Sequence, residues 1–95
     1  MEWVFVEKDK SGRKIHLSKE RWSHIQKHPR MSGQMEKIKE TLRNPLIIQD
    51  FEYYSDVKFY FKYYKDIKEY LFISVKYLNG EGFVVTSFFT NKIIR

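Results

Sequence analysis

The sequence predicts an α+β fold: two N-terminal helices packed on a four-stranded antiparallel sheet, with a small N-terminal hairpin in front. Apolar residues recur at helical spacing in the first half of the chain, and prolines end both helical stretches, at Pro29 and Pro45. After Pro45 the pattern becomes strand-like, with alternating side chains and short connections. The 95 residues indicate a single domain over residues 1–95, because they are too few for two separate cores.

The hairpin and the first helix follow from local turn and capping signals. Residues 3–7 and 14–17 are strand-like, and Asp9-Lys10-Ser11-Gly12 between them is a turn signal. Ser18 can then accept a hydrogen bond as the N-cap of a helix. We expect this helix to run from about Lys19 to His28, where Pro29 ends it.

The second helix is predicted over Gly33 to Arg43, with Ser32 as its N-cap and apolar residues at helical spacing. The connections Lys65-Asp66 and 79–82 have the composition of hairpin turns, which favours an antiparallel meander. The predicted strands after Pro45 are Leu46–Phe51, Val57–Tyr64, Glu69–Tyr77 and Gly82–Phe89.

Alternation along Val57–Tyr64 separates two faces of the predicted strand. Val57, Phe59, Phe61 and Tyr63 share one face; the other carries Lys58, Tyr60, Lys62 and Tyr64. If that lysine–tyrosine face points to solvent, it can hold phosphates and stack bases, so Lys58, Tyr60 and Lys62 are candidate nucleic-acid-binding residues. An ordinary solvated sheet face explains the same residues.

Charge and composition narrow the class of protein. The formal net charge of +6 favours an anionic partner such as nucleic acid, although surface lysines alone would also produce it. The absence of cysteine excludes disulfides and thiol chemistry and fits a reducing compartment. Because the start of the chain does not resemble a signal peptide and no apolar run is long enough to span a membrane, we expect a cytoplasmic protein without membrane contact.

Arg21, His24 and His28 are the clearest candidate functional residues. Successive helical residues advance by about 100°, so these three side chains form one ridge about 60° wide. The ridge fits a metal site, acid–base catalysis or a plain helix surface. The metal hypothesis is weak, because a third ligand would require His16 to fold back, and we expect neither a metal nor a cofactor. Cleavage of RNA through its 2′-hydroxyl needs a base, an acid and a phosphate-binding cation, which these residues can supply.

Several motifs together resemble a known family. They are Arg21-Trp22-x-His24-Ile25-x-x-His28-Pro29, then Ile38-x-x-Thr41-Leu42-x-x-Pro45, a tyrosine-rich strand and the closing segment 82–90. This order is similar to the phage-barnase–EndoU–colicin–RelE (BECR-type) group of small nuclease-like proteins, from roughly residue 15 to 93. The resemblance implies metal-independent RNase chemistry, with His24, His28, Thr86 and Thr90 at the site. The chain departs from the group at Ser87-Phe88, where a tyrosine is missing, and at Arg30, which replaces a common glutamate.

The leading hypothesis is therefore an endoribonuclease, acting without metal by transphosphorylation, as a toxin or mobile-element effector. His24 is the expected base with His28 as its partner, Arg21 and Lys92 stabilise phosphate charge, and Thr86 and Thr90 position it. The alternative is a non-catalytic module that binds RNA or a protein, and a metal-dependent hydrolase is a third possibility. RNA is the expected partner. The edge strand 46–51 can also pair with an antidote protein or a second copy, which leaves monomer and dimer open.

Overall fold

The computed structural model of the protein describes residues 2–93, which form six strands and two short helices. All six strands belong to one sheet, in the spatial order β1-β2-β6-β5-β4-β3. In chain order the elements are β1 (Trp3–Lys8), β2 (Lys14–Ser18), α1 (Lys19–Ile25), α2 (Met35–Arg43), β3 (Ile47–Phe51), β4 (Tyr54–Tyr64), β5 (Glu69–Leu78) and β6 (Glu81–Thr90).

The predicted fold class, two helices on a four-stranded antiparallel sheet with a separate hairpin, is wrong. The hairpin strands join the main sheet because β2 pairs in parallel with β6, through Ile15 with Gly82 and His16 with Phe83. Gly82 permits this close packing, since a Cβ there would lie only 2.9 Å from the Val75 Cγ1 atom. The result is a six-stranded mixed sheet carrying two short helices.

The first helix begins as predicted and ends early. The Ser18 hydroxyl accepts a hydrogen bond from the Arg21 backbone N–H at 3.1 Å, which confirms the N-cap. Beyond Ile25 the backbone N–H groups of Lys27 and His28 donate to carbonyls three residues earlier, so tight turns replace the last helical turn. His28 therefore leaves the ridge that was predicted to carry it with Arg21 and His24.

The second helix starts later than predicted. Its first residue is Met35 rather than Gly33, and Gln34, not Ser32, occupies the N-cap position without a side-chain hydrogen bond. Both helices pack on the same face of the sheet and enclose the core. The buried apolar side chains of this core include Ile25, Ile38, Leu42, Tyr60, Leu71, Ile73, Val75, Tyr77 and Val84.

The two faces of β4 are the reverse of the predicted ones. Tyr60 is 1% exposed in the core, where its hydroxyl hydrogen bonds that of Tyr77. The Tyr64 hydroxyl donates to the Glu40 carboxylate at 2.8 Å. Burial raises the pKa of both Tyr60 and Tyr64, so both hydroxyls remain protonated. Tyrosine tolerates this environment because its hydroxyl has a partner, and the prediction of a solvent-facing lysine–tyrosine face is wrong.

A buried carboxylate joins the first hairpin to the core. Asp9 is 6% exposed and accepts hydrogen bonds from the backbone N–H groups of Ser11 at 2.9 Å and Arg13 at 3.0 Å, and from the Tyr77 hydroxyl at 3.0 Å. Burial opposes ionisation, but the hydrogen bonds from Ser11, Tyr77 and Arg13, together with the Arg13 charge, hold the pKa of Asp9 below its usual value.

We expect Asp9 to make folding sensitive to acid. A depressed folded-state pKa means that the ionised carboxylate stabilises the protein fully above the ordinary pKa of about 3.9, and that this contribution disappears as the pH falls through the lower, folded-state pKa. In urea unfolding, Asp9→Asn should be less stable than the wild type at pH 7, with the difference narrowing below about pH 4. Asp66→Asn, at an exposed carboxylate, is the control. A constant difference across this range would contradict the prediction.

Candidate nucleic-acid interface

The sheet face opposite the core carries a second set of side chains. Residues directly paired across neighbouring strands project from the same face. The register pairs Phe59 with Ser74, Ser74 with Thr86, Phe61 with Phe72, Phe72 with Phe88, and Lys76 with Phe83. We call this surface the outer face, defined by Phe51, Phe59, Phe61, Phe72, Ser74, Lys76, Phe83, Thr86 and Phe88.

A continuous row of aromatic rings crosses the outer face. Ring centroids are 5.0 Å apart for Phe51 and Phe59, 5.2 Å for Phe59 and Phe72, and 4.8 Å for Phe72 and Phe88. The row ends at the imidazole of His28, 5.7 Å from the Phe88 ring. Phe72 in the middle of the row is buried, at 5% exposed, so the accessible rings are the partly exposed Phe51, Phe59 and Phe88. Accessible aromatic side chains on a sheet are a common platform for stacking unpaired bases.

His28 and Thr86 meet at the end of this row. The His28 Nε2 atom lies 3.4 Å from the Thr86 Oγ1 atom, although the two residues are 58 positions apart, and both side chains are partly exposed. The approach is possible because β2 pairs with β6 only as far as Phe83 and then continues into α1, which lies beside the rest of β6. The structure thus brings together one imidazole and one hydroxyl of the predicted site.

A bulge in β6 directs Thr86 to the outer face. The register shifts between Ser74 and Val75, so that Val84 pairs with Val75, Thr86 pairs with Ser74, and Val85 is the extra residue. Strict alternation would place Thr86 on the same side as the buried Val84. The extra residue reverses this, a role that bulges often have beside functional sites.

Arg30 anchors the turn that carries His28. Its guanidinium forms an ion pair with the Glu69 carboxylate and lies 5.2 Å from the centre of the Phe89 ring. The hydrogen bond from Arg30 lowers the pKa of Glu69, so the carboxylate stays ionised. Arg30 was noted in the sequence only as a departure from the family pattern, and its partner is 39 residues away.

The other predicted catalytic residues lie apart from this contact. His24 is exposed in the last turn of α1, and Arg21 is exposed in its first turn. The Thr90 hydroxyl donates to the Lys92 carbonyl at 3.1 Å and accepts from the Lys92 backbone N–H at 3.3 Å. Thr90 is four residues beyond Thr86 along the strand, a distance of about 13 Å. Thr90 and the exposed Lys92 therefore belong to the far end of β6.

The predicted nucleic-acid-binding residues of β4 lie on the core side of the sheet. Lys58 forms an ion pair with Asp50 of β3, and the Lys62 ammonium donates to the Asn44 carbonyl at 3.1 Å. The charged ends of both lysines lie at the rim of the core face. Tyr60, which stands between the two lysines in the sequence, is buried. None of the three joins the His28–Thr86 contact.

A cleft of about 560 Å³ lies next to the first residues of β6. One wall is aromatic, with the His16 ring 4.5 Å from Trp3 and stacked 5.1 Å from Phe83. Basic side chains from α1 and β5, Arg21 and Lys76, line it as well. We call this space the β6 cleft; its remaining lining residues are Glu2, Ser18, Lys19, Glu20, Leu78, Val84 and Val85.

His16 is held in this wall by a carboxylate. Its Nε2 atom is 2.5 Å from the Glu81 Oε1 atom, while its Nδ1 atom is buried and has no hydrogen-bond partner among residues 2–93. In the sequence His16 is only a possible third metal ligand, and its pairing with Glu81 is not predictable because the two residues are 65 positions apart. Within residues 2–93, no group of three His, Cys, Asp or Glu side chains is placed to hold a metal ion.

No helix formed by residues 2–93 is long and apolar enough to cross a membrane.

Comparison with known proteins places the chain in a family. No curated protein and no solved structure shows significant similarity to the chain. The family model described as phage-Barnase-EndoU-ColicinE5/D-RelE like nuclease 2 matches residues 4–94, a range that includes the aromatic row, His28, Thr86 and most of the β6 cleft. The resemblance found in the sequence motifs is thereby confirmed, and the chain belongs to this family of nuclease-like proteins, PBECR2.

Proposed function

We propose that the protein is an endoribonuclease that cleaves RNA by attack of a 2′-hydroxyl on the adjacent phosphate. The observation that carries this proposal is the contact between the His28 imidazole and the Thr86 hydroxyl, at the end of an aromatic row on the outer face. Membership of a nuclease-like family supports a nucleic-acid substrate. The partly exposed rings of Phe59 and Phe88 would hold unpaired bases, so that a backbone phosphate reaches the two polar groups.

The reaction needs two proton transfers, which two imidazoles can perform. A base takes the 2′-hydroxyl proton, the 2′-oxygen bonds to phosphorus, and the bond to the 5′-oxygen breaks as that oxygen receives a proton. The products are a 2′,3′-cyclic phosphate and a 5′-hydroxyl. We assign the base to His28 rather than to His24, because its position is held by Thr86 and Phe88. The acid would then be His24, which lies apart from the His28–Thr86 contact and would have to protonate the 5′-oxygen from the other side of the phosphate.

Hydrogen-bond donors and positive charge would stabilise the phosphate as it gains charge. Because His28 Nε2 and Thr86 Oγ1 are within hydrogen-bond distance, a phosphate oxygen placed against both can accept from the hydroxyl while the imidazole faces the ribose. Arg21 lies apart from this contact, in the wall of the β6 cleft, so its permanent charge would act on a neighbouring phosphate of the RNA.

A substrate series tests this chemistry directly. The protein should cleave single-stranded RNA in excess EDTA and leave 2′,3′-cyclic phosphate ends, identified by mass spectrometry. A matched oligonucleotide with one 2′-deoxy sugar at the scissile position should not be cut there, because the nucleophile is missing. Cleavage of the deoxy substrate at the same rate would refute the proposal, and cleavage only after addition of a divalent metal would favour a metal-dependent hydrolase.

The second candidate is a non-catalytic RNA-binding module. The aromatic row and the net charge of +6 are sufficient for binding single-stranded RNA without any chemistry. RNA binding that weakens steeply with salt, accompanied by no cleavage products, would identify this function. Cleavage that depends on His28 would exclude it.

A further inference from the structure

We infer that the β6 cleft binds one nucleotide of the RNA, next to the phosphate held by His28 and Thr86. The inference rests on the proposed function, and it names a subsite that neither the sequence motifs nor the family match assigns. The base would stack on the aromatic wall formed by Trp3, His16 and Phe83, and the nucleotide's phosphate would meet Arg21.

The aromatic wall offers a stacking surface. Trp3 remains 37% exposed although its ring centroid is 4.5 Å from that of His16 and 5.9 Å from that of Phe83. One side of the indole is therefore supported by other rings while part of it stays accessible. Every nucleobase has a flat aromatic surface, so such a wall can accept a base without base-specific hydrogen bonds.

The charges around the cleft suit a phosphate. Lys19 is paired with Glu2 at 2.9 Å, and the Lys76 ammonium is 4.0 Å from the Asp56 carboxylate. Among the ion pairs of residues 2–93, none involves Arg21. The carboxylates of Glu2 and Glu20 also line the cleft, but neither forms an ion pair with Arg21, so its guanidinium can bind a phosphate through two hydrogen bonds.

His16 is an independent indication that the aromatic wall binds a ligand and does not serve packing alone. A buried imidazole nitrogen without a partner destabilises a fold, and an apolar ring would fill the same space without that cost. The Nε2 atom is already paired with Glu81, which fixes the orientation of the ring beneath Trp3.

Size and position agree with a single nucleotide beside the reacting phosphate. The volume of about 560 Å³ lies within the range of small-molecule sites, about 300–1,000 Å³. Val85 lines the cleft and the next residue is Thr86, so their Cα atoms are about 3.8 Å apart. Phe83 and Lys76 of the cleft share the outer face with Thr86, which makes the cleft and the aromatic row parts of one surface.

NMR titration of the full chain with small probes tests the subsite. Adenosine 5′-monophosphate should shift the indole N–H signal of Trp3 but not that of Trp22, which packs against the core. Adenosine, which lacks the phosphate, and ribose 5-phosphate, which lacks the base, should each bind about tenfold more weakly or worse. Trp3→Ala and Arg21→Ala should each weaken binding of the monophosphate about tenfold, whereas Lys10→Ala, which removes the same charge from an exposed turn, should leave it unchanged.

Three results would overturn the inference: equal binding of ribose 5-phosphate and the monophosphate, which means an anion site only; binding that Trp3→Ala leaves unchanged; or no binding at all. Failure of the proposed function is a different outcome, because the monophosphate would then bind at Trp3 while RNA is never cleaved. Conversely, His28-dependent cleavage without monophosphate binding would remove only the subsite. Since Arg21 is exposed, its alanine variant remains informative even if Trp3→Ala fails to fold.

Discussion

Replacement of His28 by alanine is expected to lower kcat for RNA cleavage by about 10²–10⁴-fold, the usual contribution of a positioned acid or base. RNA binding should change little, because the aromatic row and the β6 cleft remain in place. The side chain is partly exposed and lies in a turn, so the substitution leaves the core intact. Single-turnover cleavage of a labelled RNA in EDTA measures the effect apart from product release.

Neighbouring variants separate chemistry from structure. Lys27→Ala changes the preceding residue, which is exposed, and should keep wild-type activity. Thr86→Val removes the hydroxyl that faces His28 and should lower kcat, and Thr86→Ser should restore most of it. His24→Ala tests the assignment of roles: if it abolishes cleavage while His28→Ala retains the wild-type rate, the base is His24 and our assignment is wrong.

The wild type and His28→Ala also test the hypothesis from the sequence that the protein acts as a toxin or mobile-element effector. Expression of the wild type in a bacterial host should arrest growth, because cleavage of cellular RNA stops protein synthesis, whereas His28→Ala should be tolerated at the same expression level. Equal toxicity of the two would separate any growth effect from the proposed chemistry.

Replacement of Tyr60 by alanine is expected to lower the free energy of unfolding by about 3–5 kcal/mol, as for other large buried aromatic residues. The substitution leaves a cavity in the core and removes the partner of the Tyr77 hydroxyl, which also donates to Asp9. Urea unfolding followed by circular dichroism measures the change. Such a loss is a large part of the stability of a small domain.

Tyr63 on the same strand is the matched control. It points to the opposite side of β4 and is 41% exposed, so Tyr63→Ala should cost about 1 kcal/mol or less. If instead Tyr60→Ala were tolerated and weakened RNA binding, the lysine–tyrosine side of β4 would face solvent as the sequence suggested, and the assignment of the core face would be wrong.

Much of the secondary structure was predictable because its signals are local. The Ser18 cap, the helix over 35–43 and the strands ending at Phe51 and Tyr64 lie within a few residues of their predicted bounds. The fold class was not predictable in the same way. The fold class depends on two residue pairs that join β2 to β6 in parallel, Ile15 with Gly82 and His16 with Phe83. Pairing between such distant segments is not indicated by the local sequence of either segment.

The faces of the strands show the same limit. Alternation along β4 correctly separated two sets of side chains but could not say which set meets the helices, because tyrosine is suited to either environment once its hydroxyl has a partner. In β6, one extra residue, Val85, moves Thr86 to the side opposite Val84. A bulge depends on the partner strand, so periodicity within β6 alone predicts the wrong side.

By itself the sequence determined the family and the residue types from which the site is built, since short motifs such as His24-Ile25-x-x-His28-Pro29 are read directly from the chain. Only the tertiary structure decided which of these residues meet. His28 reaches Thr86 because α1 ends at Ile25 and β2 leaves the sheet beside β6, and the β6 cleft exists because Trp3 and His16 enter the same sheet as Phe83. The contact of His28 with Thr86 and the β6 cleft both depend on long-range strand pairing, which sets distances that the spacing of residues along the chain does not encode.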